Sequence, residues 1–232
     1  VQTCALPICP VPGVTIIMGG KTMKLQLALD LSDIDKGLEM VHKTKDYVDV
    51  FELGTGFMGA CGYDLVKIFR AAFPDIQILA DVKPVDGGYS TSKKMFDYGA
   101  NFATVVGYGD MSTVAGAVQA AREAGPGHYA MADLMHIQDY SAHKDKLNKA
   151  GMDYVCAHIA VDSEGKEDHR SYEDVLSGIM SAGFNAKVAV AGGLTLDRIP
   201  LVKKYNVDMI IIGRAILNAE DPGAAAKAFK EA

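Results

Sequence analysis

The sequence predicts an α/β chain of the (β/α)8 TIM-barrel class, on three observations. From residue 23 to residue 232, short apolar runs alternate eight times with longer amphipathic stretches. The runs read as strands buried on both faces, the condition of a parallel sheet covered by helices. The repeat of roughly 25 residues is nearly uniform, which favours a closed barrel over a doubly wound open sheet, the structural alternative.

Taken in order, strands are expected over residues 24–30, 48–54, 77–83, 101–107, 128–134, 153–159, 187–192 and 208–213. Helices are expected over 32–44, 62–72, 90–98, 112–123, 138–150, 171–182, 195–205 and 221–232. The first strand carries the run LQLALD, the second an apolar run from Val48 to Phe51, and the third one from Ile76 to Ala80. The helix after the second strand places Leu65, Ile68 and Phe69 on one face. Gly99, Gly125 and Gly151 read as stops, and Ser112 as an N-cap. The sixth strand holds Tyr154 to Ala157, and the next helix turns Val175, Ile179 and Met180 to one side before Gly183 ends it. Thr195 and Asp221 read as the last two N-caps. No linker or second domain interrupts residues 23–232, which read as one catalytic domain.

Composition narrows the function. With 232 residues and 49% hydrophobic content the chain buries a sizeable core. A net charge of −6 without a basic run or aromatic–basic stripe argues against nucleic acid. Residues 1–22 mix Cys, Pro and Gly without a strand or helix period; they read as a tail or gene-model extension outside the fold, with Met23 as the native start. The run from Val14 to Met18 is too short to span a membrane, and no charged region precedes it as in a signal peptide. Cys4, Cys9, Cys61 and Cys156 form no CxxC pair, so a reducing, cytoplasmic setting is expected.

A barrel gathers its chemistry at the carboxyl ends of its strands. Standing there are Asp30, Glu52, Asp81 with Lys83, Thr104, Asp133, His158, Gly192 with Gly193, and Gly213 with Arg214. In DVKPVD, spanning Asp81 and Asp86, a lysine lies between carboxylates, so Lys83 is expected to stay an ammonium able to stabilise developing negative charge. Asp30, Glu52 and Asp81 are hard oxygen donors suited to Mg²⁺, with Glu52 and Asp81 the expected ligands. A metal-free ion network around Lys83 is the alternative. The glycine pair, Gly213 and Arg214 suit a phosphate, which glycines admit to backbone N–H groups and a guanidinium clamps. His158 at a strand end is a candidate proton carrier, and His136 lies near the mouth.

These segments together resemble the orotidine 5′-monophosphate decarboxylase suprafamily. The matching pieces are LQLALD, VDVFELGTG, LADVKPVDGG, the stretch from Met131 to Leu134, DYVCAH, VAVAGG and IIGRAI, in order along the barrel. Within the suprafamily the chain is most similar to 3-hexulose-6-phosphate synthases and 3-keto-L-gulonate-6-phosphate decarboxylases. The resemblance implies that Glu52 and Asp81 hold Mg²⁺, Asp30 contacts substrate hydroxyls, and Lys83 hydrogen-bonds an enediolate. It implies acid–base roles for Asp133 and His158 and a phosphate site at the glycine pair and Arg214. Asp86 would enter a neighbouring subunit's site, which implies a homodimer. Glu52 excludes the namesake decarboxylase, which carries a lysine at that strand end.

The implied activity is a Mg²⁺-dependent carbon–carbon lyase acting on a phosphorylated keto-sugar through a 1,2-enediolate. Asp133 and Ala191 favour the synthase, whereas Arg214 is closer to the decarboxylase pattern. Val161 replaces an arginine of the decarboxylase, and the loop Ser163 to Asp168, Pro84 and Gly87-Gly88 depart from both. A keto-gulonate phosphate decarboxylase and a non-catalytic phosphosugar-binding protein are the two alternatives.

Overall fold

A computed structural model describes residues 23–159 and 171–232. The strands are β1 (Lys24–Leu29), β2 (Val50–Leu53), β3 (Gln77–Ala80), β4 (Phe102–Val106), β5 (Tyr129–Asp133), β6 (Tyr154–His158), β7 (Lys187–Ala191) and β8 (Met209–Ile212). Each pairs in parallel with the next, and β8 pairs with β1, closing the predicted (β/α)8 barrel. The expected segment 1–22, Val161 and the loop Ser163 to Asp168 lie outside the described residues. No described helix is long and apolar enough to cross a membrane.

Strand alternation sorts the core into two shells. On β1, Leu25, Leu27 and Leu29 face the helices, while Gln26 and Ala28 face the barrel axis. The inner shell is filled by Ala28, Val50, Leu79, Phe102, Met131, Tyr154, Cys156, Ala189, Met209 and Ile211. Phe102, Tyr129 and Tyr154 stack edge to face or tilted, with centroids 4.9 to 5.8 Å apart, and plug the amino-terminal end. Among the described residues, the barrel interior opens into a cavity at the opposite mouth. Cys61 and Cys156 are free thiols.

The helices are α1 (Ile34–Thr44), α2 (Thr55–Cys61), α3 (Leu65–Ala72), α4 (Gly88–Asp97), α5 (Met111–Ala124), α6 (Ser141–Ala150), α7 (Tyr172–Ser181), α8 (Ile199–Lys204), α9 (Arg214–Leu217) and α10 (Pro222–Glu231). Three features depart from expectation. The helix expected at 62–72 is preceded by α2, and Gly62 at φ 78° breaks the two apart. The helix expected at 195–205 opens as a 3-10 turn, Leu196–Arg198, before α8. Ser112 is not the cap of α5: Asp110 is, its carboxylate accepting the Ser112 N–H. An aspartate two residues upstream outcompetes the serine because it satisfies an orphan N–H with a full charge at the positive helix end. Asp221 caps α10 as expected.

Candidate active site at the barrel mouth

β3 ends at Ala80, three residues earlier than expected. Asp81 and Lys83 therefore lie beyond the strand, outside its alternation. Instead the chain turns sharply, with Lys83 in the left-handed region at φ 38°. That conformation is costly for a residue with a Cβ, and it is held here by the Lys83 N–H, which donates to Thr104 Oγ1 at 3.1 Å. The turn brings Lys83 Nζ to 2.5 Å from Asp81 Oδ2 and 3.4 Å from Asp133 Oδ2. Burial works against the ammonium, but the charges of Asp81, Asp133 and Glu52 outweigh it and push the Lys83 pKa above its ordinary value. The lysine is a fixed cation, not a base.

Asp81 is fastened from two sides. Thr104 Oγ1 donates to its Oδ1 at 2.9 Å, and Thr55 donates to its Oδ2 through the hydroxyl at 2.7 Å and the N–H at 3.3 Å. Asp133, at the end of β5, bridges the site: its Oδ2 lies 2.8 Å from His158 Nδ1, and its Oδ1 accepts the Met135 N–H at 2.8 Å. Burial alone would raise the Asp133 carboxyl, but the hydrogen bond and charge of His158, with Lys83, hold it below the usual range. His158 is oriented through Nδ1, which leaves Nε2 as its ring nitrogen for a substrate.

Asp30 and Glu52 complete the acidic side. Asp30 faces the open mouth, yet loss of hydration there raises its carboxyl, and the charge of Asp81 raises it further. A Cβ on Gly54 would lie 2.2 Å from Asp30 Oδ1, so glycine makes room for that carboxylate. Glu52 is buried, and burial followed by the charge of Asp81 pushes its carboxyl up to about 8. Among the described residues no three His, Cys, Asp or Glu side chains form a ready-made metal cage. Mg²⁺ needs none, since it takes one or two carboxylates and keeps its waters. The excess of hard anionic oxygens around Glu52 and Asp81, at a cost visible in the Glu52 shift, fits such a cation.

These groups line one cavity of about 850 Å³, together with Gln26, Thr55, Met131, Cys156, Gly192, Gly193, Thr195, Gly213 and Arg214. Gly192 sits at φ 100°, and a Cβ there would lie 2.1 Å from the Ile159 carbonyl oxygen, so β7 can turn into the cavity rim only through glycine. Of the expected catalytic and binding residues, Asp86 is not brought to this cavity, and His136, expected near the mouth, does not line it. Asp86 is exposed on the loop before α4, its carboxylate accepting the Gly87 N–H at 2.7 Å. Sequence reasoning missed Thr55 and Gln26. Thr55 carried no signal beyond following Gly54, whereas Gln26 was visible as a polar residue on the inward phase of an apolar strand.

Known proteins resemble the chain in both sequence and fold. The family model described as "Orotidine 5'-phosphate decarboxylase / HUMPS family" matches residues 23–229. The 3-hexulose-6-phosphate synthase of Bacillus subtilis (strain 168) is 35% identical over 209 residues, covering 90% of this chain and 98% of the relative. That of Mycobacterium gastri is 36% identical, covering 90% and 99%. Among solved structures, a 3-hexulose-6-phosphate synthase from Salmonella typhimurium superposes with a TM-score of 0.84 at 32% identity, covering 90% of this chain and 97% of the other. A KGPDC from Streptococcus mutans, solved as a ligand complex, gives 0.83 at 29% identity, covering 90% and 96%. The chain belongs to the orotidine 5′-phosphate decarboxylase / HUMPS family.

Proposed function

We propose that this barrel is a Mg²⁺-dependent lyase of the 3-hexulose-6-phosphate synthase type, joining ribulose 5-phosphate to formaldehyde and cleaving 3-hexulose 6-phosphate in reverse. The observation that carries it is Asp133, whose carboxylate is shared between a fixed cation, Lys83, and an oriented base, His158. Proton abstraction next to a carbonyl needs that pair: one group to take the proton and one to stabilise the charge left behind.

In the forward direction His158 takes a proton from C1 of ribulose 5-phosphate, and the electron pair moves onto the C2 oxygen to give a 1,2-enediolate. Lys83 stabilises the developing oxyanion, while Asp30 orients the substrate hydroxyls. The C1=C2 π pair then attacks the formaldehyde carbon as the C2 carbonyl re-forms; the aldehyde π pair passes to its oxygen, which takes back the proton held by His158. Glu52 and Asp81 would hold a Mg²⁺ ion, which when bound would supply Lewis-acid charge withdrawal from the substrate. Gly192, Gly193, Gly213 and Arg214 would seat the phosphate. Asp86, outside its own chain's cavity, would serve the site of a second subunit in a homodimer.

Arg214 and the likeness to the Streptococcus mutans KGPDC also favour a second reading, decarboxylation of keto-gulonate phosphate through the same enediolate. The two are separated by assaying both substrates with Mg²⁺. Formaldehyde-dependent loss of ribulose 5-phosphate is the expected result. CO₂ release without formaldehyde-dependent turnover establishes the second reading, and phosphosugar binding without either reaction removes both.

A further inference from the structure

We propose that Gln26 is a positioning residue for Glu52, an inference that rests on the reading of Glu52 as a Mg²⁺ ligand. Gln26 is wholly buried in the barrel interior, on the inward face of β1 that also carries Ala28. Its Nε2 donates to Glu52 Oε2 at 2.6 Å, while its own Oε1 is buried with no hydrogen-bond partner. The surrounding inner shell is apolar, with Val50, Leu79, Met209 and Ile211 among its members.

A residue serving packing alone would be apolar here. An amide in this shell leaves one carbonyl unsatisfied, and an apolar side chain of similar length would carry no such cost. The return on keeping it is the short bond to Glu52. That bond pins one carboxylate oxygen from below and leaves Oε1 as the oxygen presented to a cation. A carboxylate without such a contact rotates about its terminal torsion, and a ligand that rotates binds metal more weakly.

The test is isothermal titration of Mg²⁺ into the wild type and into Gln26→Met and Gln26→Asn, the first removing the amide and the second withdrawing it by one methylene. Both variants are expected to bind Mg²⁺ at least tenfold more weakly. The metal-free thermal midpoint of Gln26→Met should match or exceed the wild type, and its kcat should recover at saturating Mg²⁺ with an unchanged KM for the phosphosugar. Mg²⁺ affinities within twofold of wild type in a folded variant would overturn the proposal; if Gln26→Met does not fold, Gln26→Asn decides. A wild-type protein that takes up no Mg²⁺ overturns the metal reading itself, and the role of Gln26 with it.

Discussion

Replacing Glu52 with glutamine tests the electrostatics of the site without disturbing its shape. In the folded, metal-free protein the Glu52 carboxyl is pushed from 4.5 to about 8, first by burial and then by the charge of Asp81. A carboxyl whose pKa rises on folding contributes full stability below its unfolded value and loses it as pH climbs toward the folded value. With those two numbers, linkage gives a loss of about 3 kcal/mol between pH 4 and pH 7, approaching about 5 kcal/mol above pH 8. Glutamine carries no charge to desolvate, and its carbonyl can still accept the Gln26 N–H. Glu52→Gln should therefore be more stable than wild type in EDTA by about 3 kcal/mol at pH 7, a gap that closes near pH 4.5. Urea denaturation at pH 4.5, 7 and 8.5 measures it, because titrating groups remote from Glu52 cancel in the difference. Mg²⁺ should raise the midpoint of the wild type and not that of the variant. Parallel stability curves for the two proteins across this range would refute the reasoning.

Other substitutions separate the remaining roles. Lys83→Ala should lower the rate of carbon–carbon bond formation by at least about a thousandfold. It also leaves Asp81 and Asp133 buried without their cation, so denaturation should show a loss of about 3–5 kcal/mol while circular dichroism stays native. Asp133→Asn removes the charged partner of His158 Nδ1 and should cut kcat by about 10²–10⁴, with the shape of the pH–rate profile altered; an unchanged profile would separate Asp133 from the acid–base step. Arg214→Ala should raise the KM for the phosphosugar by roughly tenfold or more and leave a non-phosphorylated analogue unaffected.

Much of the barrel was legible because two periods carry it. Apolar runs and amphipathic stretches report on burial, and burial decides which face of an element looks inward. The strand ends could then be read as a set, which is why Asp30, Glu52, Asp81, Asp133, His158 and Arg214 all line one cavity. What was not legible depends on the turns. Lys83 reaches Asp81 through a left-handed residue, a conformation that propensity argues against at lysine and that Thr104 holds in place across the sheet. The short helices α2 and α9 carry too few residues to show a period. Gln26 showed as a polar residue on an inward strand position, but its pairing did not, because its partner lies 26 residues away on a neighbouring strand.

The formation of an enediolate at the barrel mouth is tested most directly by incubating ribulose 5-phosphate with the protein and Mg²⁺ in D₂O, without formaldehyde. Proton NMR should show replacement of a C1 hydrogen by deuterium, abolished by EDTA, by Lys83→Ala and by His158→Gln, and diverted to a carbon–carbon product once formaldehyde is added. A C1 signal that persists in full alongside no consumption of formaldehyde would contradict the assignment of His158 and Lys83 to that chemistry.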